Sequence, residues 1–228
     1  MTTDQYSVLG KAPTAEELKE LASNDMHLTI EGLNAGYGKM EILHDVNLYA
    51  SKGQSVCLIG PNGAGKSTIL HSVYGFSNIF SGTITVDGKD ITKLSSAEKL
   101  KSVGVAYILQ DNSVFPDMTV EENLLMGGYI KDNTNESYEE AEKISEKYDH
   151  LKKRRNHTAK VLSGGERRLL EISRALVMKP SVLLVDEPSI GLEPRYIKMV
   201  FEILGDLQKN ENKTIILVEQ NAKKGLES

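Results

Sequence analysis

One stretch restricts the fold of this 228-residue chain more than any other: Gly60-Pro61-Asn62-Gly63-Ala64-Gly65-Lys66-Ser67-Thr68. The pattern G-x-x-x-x-G-K-[ST] is typical of phosphate-binding loops. The apolar run 55–59 before it predicts a buried strand, and residues 67–74 after it predict a helix. Strand, glycine loop and helix in this order are the context in which the pattern binds phosphate.

The residue types of the loop explain its chemistry. Gly60, Gly63 and Gly65 can adopt positive φ, so that backbone N–H groups and the positive end of the following helix converge on one anion. Lys66 is expected to contact the β- and γ-phosphates, and the Ser67 hydroxyl is expected to bind Mg²⁺. The alternative is a glycine-rich turn that binds nothing, which the Lys-Ser-Thr register disfavours.

Composition limits the classes of protein that the chain can belong to. The net charge of −5 gives no general attraction to nucleic acid or to anionic lipid, so no nucleic-acid partner is predicted. The single cysteine, Cys57, excludes a disulfide framework and is expected to fill apolar space, with a reactive role as the alternative. No apolar run reaches the length of a membrane span, and no signal segment is evident, so we expect a soluble, cytoplasmic chain.

The order of predicted elements indicates an α/β fold. Continuous apolar strands at 103–109, 182–185 and 214–218 alternate with helical segments, which predicts a mostly parallel sheet covered on both faces. Alternating strands near 27–33, 42–50 and 82–88 predict an antiparallel β subdomain, with a turn at 34–39. A polar N-terminal extension is expected over 1–25, with a short helix at 15–21. The core domain is expected over 26–228, with a helical subdomain at about 112–178.

Three polar side chains are predicted to complete a phosphate site because they follow strands. Asp186 and Glu187 end an apolar strand, where one carboxylate can hold Mg²⁺ and the next can accept a proton from attacking water. Gln110 ends another strand, and its amide can bind Mg²⁺ or position water. Acidic residues at strand ends also cap helices, and a lone Gln is usually a surface residue, so only the combination with the glycine loop favours function.

A second glycine-rich element, Leu162-Ser163-Gly164-Gly165-Glu166, precedes a predicted helix and offers a second anion site. If both sites bind one triphosphate, they come either from one cleft or from two chains that face each other. The alternative is a helix start with Ser163 as its N-cap.

Four motifs together resemble the ATP-binding-cassette (ABC) ATPases, in that family's order and spacing: Gly60–Thr68, Gln110, Leu162–Glu166 and Val182–Glu187. The resemblance covers about 26–228. It implies a P-loop ABC-type cassette and a head-to-tail dimer that encloses two ATP molecules. Each would lie between the loop of one chain and the glycine element of the other.

The resemblance also implies roles for individual residues. Tyr37 matches the aromatic that stacks on adenine, and Ile190-Gly191-Leu192-Glu193 matches the loop that crosses the dimer. Glu187, Lys66, Gln110 and Gln220 are expected to act in hydrolysis, and Ser67, Gln110 and Asp186 to hold Mg²⁺. The expected nucleotide contacts are Tyr37, the nine residues Gly60, Pro61, Asn62, Gly63, Ala64, Gly65, Lys66, Ser67 and Thr68, and Ser163, Gly164, Gly165 and Glu166.

The sequence departs from the family pattern at several positions. Glu166 replaces the usual Gln, Glu193 replaces the usual Asp, and Gln220 stands where most members have a switch His. Gln can hydrogen-bond a γ-phosphate but cannot carry a proton at neutral pH, so a His-dependent step is in doubt while Glu187 remains as the base. Family members continue further after this position, so the C-terminal end is expected to be truncated.

The run Val218-Glu219-Gln220-Asn221-Ala222 resembles the ATPase subunits of branched-chain amino-acid importers, with urea and amide importers close. This implies permease subunits as partners, a second cassette, a solute-binding protein reached indirectly, and a position at the cytoplasmic face of the membrane. The loop 114–119 is expected to meet the permease; the alternative is a local hydrophobic contact with the helix that Thr119 begins.

Two other readings of the motifs stay open. A non-transport ABC ATPase, as in DNA repair, would carry a long coiled coil between its halves, and no sustained heptads occur here. A nucleotide-dependent regulatory module that does not hydrolyse ATP is the other, since Gln220 replaces the switch His. The basic run Lys152-Lys153-Arg154-Arg155 is expected to be a solvated face, with docking to an anionic partner as the alternative.

Overall fold

Two four-stranded sheets organise residues 14–22, 25–110 and 113–220, which the computed structural model describes. Residues 221–228 and most of the polar extension lie outside these residues. The elements in chain order are α1 (Ala15–Leu21), β1 (Met26–Tyr37), β2 (Met40–Ser51), β3 (Ser55–Ile59), α2 (Lys66–Tyr74), β4 (Asn78–Val86), β5 (Lys89–Asp90), α3 (Ser96–Glu98), β6 (Val105–Ile108), α4 (Val120–Gly127), α5 (Thr134–Lys147), α6 (Asp149–Lys153), α7 (Gly164–Leu176), β7 (Val182–Asp186), α8 (Pro194–Glu211) and β8 (Thr214–Glu219).

The first sheet is antiparallel and has the order β2-β1-β4-β5. The second is parallel and has the order β3-β8-β7-β6. Both sheets agree with the predicted α/β cassette. Because all four strands of the second sheet run in one direction, their carboxyl ends meet at one edge, and ligands of open α/β sheets bind at that edge.

The central strand β7 shows how the parallel sheet is covered on both faces. Val182 and Leu184 pack in a cluster with Leu70 of α2 and with residues of the antiparallel sheet. Leu183 and Val185 pack in a second cluster with Leu170 of α7 and with residues of α4 and α8. Every residue of β7 is buried, which explains its continuous apolar sequence.

Two predicted boundaries were wrong. The turn predicted at 34–39 is confined to Gly38 and Lys39, because β1 stays paired with β2, with shifts of register, as far as Tyr37. Gly36 permits this close pairing, since a Cβ there would lie 1.9 Å from the Met40 carbonyl oxygen. The helix predicted to follow the element 162–166 begins within it, at Gly164, because Ser163 caps it.

The short helix α1 agrees with the prediction. Thr14 and Glu17 form a capping box at its start, and the Lys19 Nζ atom lies 2.7 Å from a carboxylate oxygen of Glu31 on β1. Within the described residues, no helix combines the length and the apolar composition needed to cross a bilayer.

Lys99 is a fully buried lysine in the π-helical turn that follows α3. Its Nζ atom lies 3.5 Å from the Ser72 carbonyl oxygen, and no carboxylate of the described residues pairs with it. Burial lowers the pKa of Lys99 from its ordinary 10.5 to about 8. The unfolded chain therefore binds this proton first as pH falls, and the native state loses stability between about pH 10.5 and 8.

We expect Lys99→Met to raise the free energy of unfolding by on the order of 2 kcal/mol at pH 7, because a buried amine is replaced by an apolar side chain of similar length. Urea denaturation across pH 7 to 11 measures the effect. The free energy of unfolding of the wild type should increase as pH rises from about 8 to 10.5, and the variant should lack that increase. The matched control is Lys101→Met, at an exposed lysine of the same turn. Equal gains in both variants would contradict the account.

Candidate functional site

The glycine loop joins the end of β3 to the start of α2. Gly63 and Gly65 have φ of 81° and 84°, the left-handed region that other residues enter at a cost of about 1 kcal/mol. Gly65 also lacks space, since a Cβ there would lie 2.8 Å from a Leu43 methyl carbon. Gly65 is the N-cap of α2 and supplies no side-chain cap, so the first N–H groups of this helix remain available to an anion.

Lys66 is the first residue of α2 and is 9% exposed. Its Nζ atom donates to the carbonyl oxygens of Gly60, at 2.8 Å, and Pro61, at 2.9 Å. The lysine therefore lies along its own loop, with its ammonium group at the point where the loop leaves β3.

Asp186 lies at the end of β7 and is 4% exposed. Its Oδ1 accepts a hydrogen bond from the Ser67 hydroxyl at 3.1 Å, and its Oδ2 accepts one from the Tyr107 hydroxyl at 2.9 Å. A hydroxyl and a carboxylate are oxygen donors that suit Mg²⁺ when phosphate oxygens supply the remaining ligands. The described residues contain no cluster of three or more His, Cys, Asp or Glu side chains able to hold a metal by themselves.

Glu187 is held by both predicted glutamines. Gln110 donates from Nε2 to Oε2 at 3.1 Å, and Gln220 donates from Nε2 to Oε1 at 2.6 Å. The Glu187 backbone has φ of 42° and donates its N–H to the Val218 carbonyl oxygen at 3.0 Å. A strained backbone and two amide donors thus hold one buried carboxylate beside Asp186.

Arg168 connects α7 to the ends of two strands, a role that the sequence did not reveal. It is 4% exposed and donates to the carbonyl oxygens of Leu109, at 2.5 Å, and Asp186, at 3.2 Å. Its charge is balanced by Glu171, whose Oε2 lies 2.8 Å from Nη1. The only sequence signal was a pair of opposite charges three residues apart on a helix.

The Ser163 element lies at the start of α7. Ser163 and Glu166 form a capping box, in which the Ser163 N–H donates to the Glu166 carboxylate at 2.8 Å and the Glu166 N–H donates to the Ser163 hydroxyl. The Ser163 N–H, and secondarily the Ser163 hydroxyl, hold the pKa of the Glu166 carboxyl below its usual range. Glu166 in place of Gln is therefore compatible with this helix start.

The two glycine elements share no polar contact in the part of the chain that the structure describes. No hydrogen bond or ion pair of the described residues joins 163–166 to the Gly60 loop. Instead, Gly164 borders a cleft of about 460 Å³ together with Gln110 and the predicted crossing-loop residues Ile190, Gly191 and Leu192. The Ser163 element thus shares a cleft with Gln110 and with the residues predicted to form the crossing loop.

Tyr37 lies at the end of β1 and is 40% exposed. Its hydroxyl hydrogen-bonds Nδ1 of His71 on α2, and the two rings meet edge to face with centroids 5.9 Å apart. Part of the Tyr37 ring is therefore accessible to a ligand.

Asn123, another residue that the sequence did not single out, organises the loop before α4. It is fully buried, accepts the Phe115 N–H at 2.8 Å, and donates to the carbonyl oxygens of Phe115, Met118 and Thr119. Phe115 stays 41% exposed, beneath the guanidinium of Arg174. Thr119 begins α4 as predicted and forms a capping box with Glu122.

The basic run pairs with carboxylates of its own chain. Arg155 contacts Glu121 and Glu142, Lys152 contacts Glu146, and Arg154 lies 3.7 Å from Glu166. These pairs support the solvated-face interpretation.

Gly165 and Gly164 should respond differently to alanine. A Cβ on Gly165 would lie 2.0 Å from the Tyr196 ring of α8, whereas a Cβ on Gly164 would meet only a Leu192 methyl group at 3.6 Å. We expect Gly165→Ala to lower the free energy of unfolding by about 1–3 kcal/mol, because α7 and α8 must separate. Gly164→Ala is the matched control and should change it by less than about 0.5 kcal/mol. Chemical denaturation measures both; equal losses would be inconsistent with this packing.

Comparison with known proteins gives one consistent result. A family model described as "ABC transporter" matches residues 43–190. The chain is 41% identical to the high-affinity branched-chain amino acid transport ATP-binding protein BraG of Pseudomonas aeruginosa, over 87% of this chain and 84% of the relative. It is 38% identical to the probable branched-chain amino acid transport ATP-binding protein LivF of Archaeoglobus fulgidus, over 86% and 82%. The ADP conformation of an ATP-binding cassette of an ABC transporter superposes with a TM-score of 0.77 at 29% identity, over 89% and 84%.

Proposed function

The chain belongs to the ABC transporter family of ATPases, and we propose that it energises an importer for branched-chain amino acids or related amides. The observation that carries the catalytic part is the position of Glu187, which two amides hold beside the Ser67–Asp186 pair. The proposed solute rests on the names of the relatives.

The residues of the site divide the work of hydrolysis. Backbone N–H groups of the Gly60–Thr68 loop and the start of α2 bind the phosphates, and Lys66 exchanges its carbonyl partners for phosphate oxygens. Ser67, Gln110 and Asp186 would hold Mg²⁺, which would offset the charge that develops on the transferred phosphoryl group. Glu187 accepts a proton from the attacking water.

Gln220, at the switch position, orients the Glu187 carboxylate but does not transfer a proton. Its amide donates to Glu187, so the neutral side chain aims the carboxylate although it cannot titrate. This geometry favours an active ATPase over the alternative of a nucleotide sensor that does not hydrolyse ATP.

A second cassette would complete each ATP site with Ser163, Gly164, Gly165 and Glu166. The lack of polar contacts between this element and the Gly60 loop among the described residues supports the arrangement, as does the exposure of Gly164 at the start of α7. The helix start then presents its positive end to the nucleotide held by the opposing chain.

The permease is proposed to dock on a groove of about 300 Å³ next to the Gln110–Thr119 loop. Phe115, Met126 and Tyr129 line it, and Tyr129 is 77% exposed. An exposed aromatic and apolar groove suits a short amphipathic segment of a membrane partner. Through that partner the chain would lie at the cytoplasmic face of the membrane and respond indirectly to a solute-binding protein.

We expect Glu187→Gln to lower the ATPase rate about 100-fold or more, because the base is lost, while ATP affinity changes little. The variant should accumulate as an ATP-bound dimer in sedimentation experiments. Lys66→Ala is the contrasting variant and should lose ATP binding itself, measured by calorimetry. Full turnover by Glu187→Gln would exclude this residue as the base.

Uptake measurements test the transport part. Cells of the source organism from which the gene for this chain has been deleted should lose uptake of labelled leucine, isoleucine or valine. The wild-type chain should restore it, and Glu187→Gln should not. Uptake of a sugar by another system is the control. If ATPase activity is present but uptake of all three amino acids is unchanged, the solute assignment is wrong and the ATPase assignment stands.

A further inference from the structure

Tyr107 makes a contact that the hydrolysis scheme does not use. Its hydroxyl donates to Oδ2 of Asp186 at 2.9 Å, while Ser67 donates to Oδ1 at 3.1 Å. Each oxygen of this carboxylate therefore has its own hydroxyl donor, one from the glycine-loop helix and one from β6.

Neighbouring rings hold Tyr107 in place. His71 lies edge to face with it at 5.7 Å between centroids, and Phe76 and Tyr74 lie at 5.9 Å and 5.5 Å. A ring packed against three others has little rotational freedom, so its hydroxyl is held in one direction. This is a rigid support for a carboxylate rather than a mobile surface contact.

His71 joins this support to Tyr37. It follows Ser67 by four residues on α2, so both side chains lie on the same face of the helix. The Tyr37 hydroxyl hydrogen-bonds Nδ1 of His71, and the His71 ring packs against both tyrosines. A continuous set of contacts thus runs from Tyr37 through His71 and Tyr107 to Asp186.

We propose that Tyr107 is a positioning residue for Asp186, and that His71 couples it to the ring that binds at Tyr37. This inference rests on the proposed function, in which Asp186 faces Mg²⁺ and Tyr37 faces the nucleotide base. A base seated on Tyr37 restrains the Tyr37 hydroxyl and the His71 ring, which restrains Tyr107 and with it Asp186. Base recognition and metal affinity then support one another.

A purely structural role for Tyr107 predicts something different. If the ring only fills space among Tyr74, Phe76 and His71, phenylalanine would serve equally well. Removing the hydroxyl while keeping the ring therefore separates the two roles.

The measurement is the affinity for ADP, by calorimetry, with excess Mg²⁺ and with a chelator. The ratio of the two dissociation constants reports the contribution of the metal. We expect Tyr107→Phe to lower this ratio about fivefold, the value of one hydrogen bond, and to leave the metal-free affinity within about twofold. The matched control is Tyr49→Phe, which removes a tyrosine hydroxyl from Glu31 in the antiparallel sheet and should leave the ratio unchanged.

Tyr37→Phe tests the coupling, because it keeps the ring and removes the hydroxyl that reaches His71. It should also lower the Mg²⁺ ratio, and it should have no further effect when combined with Tyr107→Phe. If Tyr107→Phe does not fold, Tyr37→Phe alone decides the coupling by the same ratio. If the Mg²⁺ ratio is unchanged or increased in the single variants, the inference is overturned. If the ratio falls in the double variant by the product of the two single effects, the coupling is overturned. If wild-type protein binds no ADP under either condition, the proposed function itself fails.

Discussion

The candidate site depends on the parallel order β3-β8-β7-β6, which brings four strand ends to one edge of a sheet. The glycine loop follows β3, Gln220 follows β8, Glu187 follows β7, and Gln110 lies shortly after β6. These positions are far apart along the chain. Only this strand order lets Gln110 and Gln220 donate to the same carboxylate, so the geometry of the base is a property of the sheet.

Holding these groups in place costs stability. Glu187 occupies a left-handed backbone conformation, which a non-glycine residue enters only when its surroundings impose it. The buried Arg168–Glu171 pair must recover the cost of removing two charges from water. Arg168 recovers part of it by donating to the carbonyl oxygens of Leu109 and Asp186, which ties the helical region to the strand ends. The hydrogen bonds of Arg168 thus both make the site rigid and couple the helical region to the strand ends.

Local patterns predicted the features that depend on neighbouring residues. The sequence correctly predicted the strand, glycine loop and helix at 55–74, the short helix at 15–21, the helix start at Thr119 and the strand end at Asp186. The chain could not reveal contacts set by tertiary packing. The hydrogen bond from Tyr107 to Asp186 depends on the pairing of β6 with β7, and the contact of Gly165 with Tyr196 depends on the packing of α7 against α8.

The predicted turn at 34–39 failed for a related reason. The glycines of this stretch indicate that a strand ends there, but Gly36 is required because two strands pair closely at this position. A glycine that permits close approach and one that permits a turn give the same sequence signal. The pairing partner distinguishes them, and the partner is known only from the fold.

The central claim is that the Gly60 loop of one chain and the Ser163 element of another enclose one nucleotide. Crosslinking between two differently tagged chains tests it most directly, with Asn62→Cys on one and Gly164→Cys on the other, mixed with ATP and Mg²⁺. The native thiol should not interfere, because burial raises the pKa of Cys57 to about 11. We expect a short bifunctional crosslinker to join the two chains only when nucleotide is present. Mixed dimers that form equally without nucleotide, or none with it, would contradict the account.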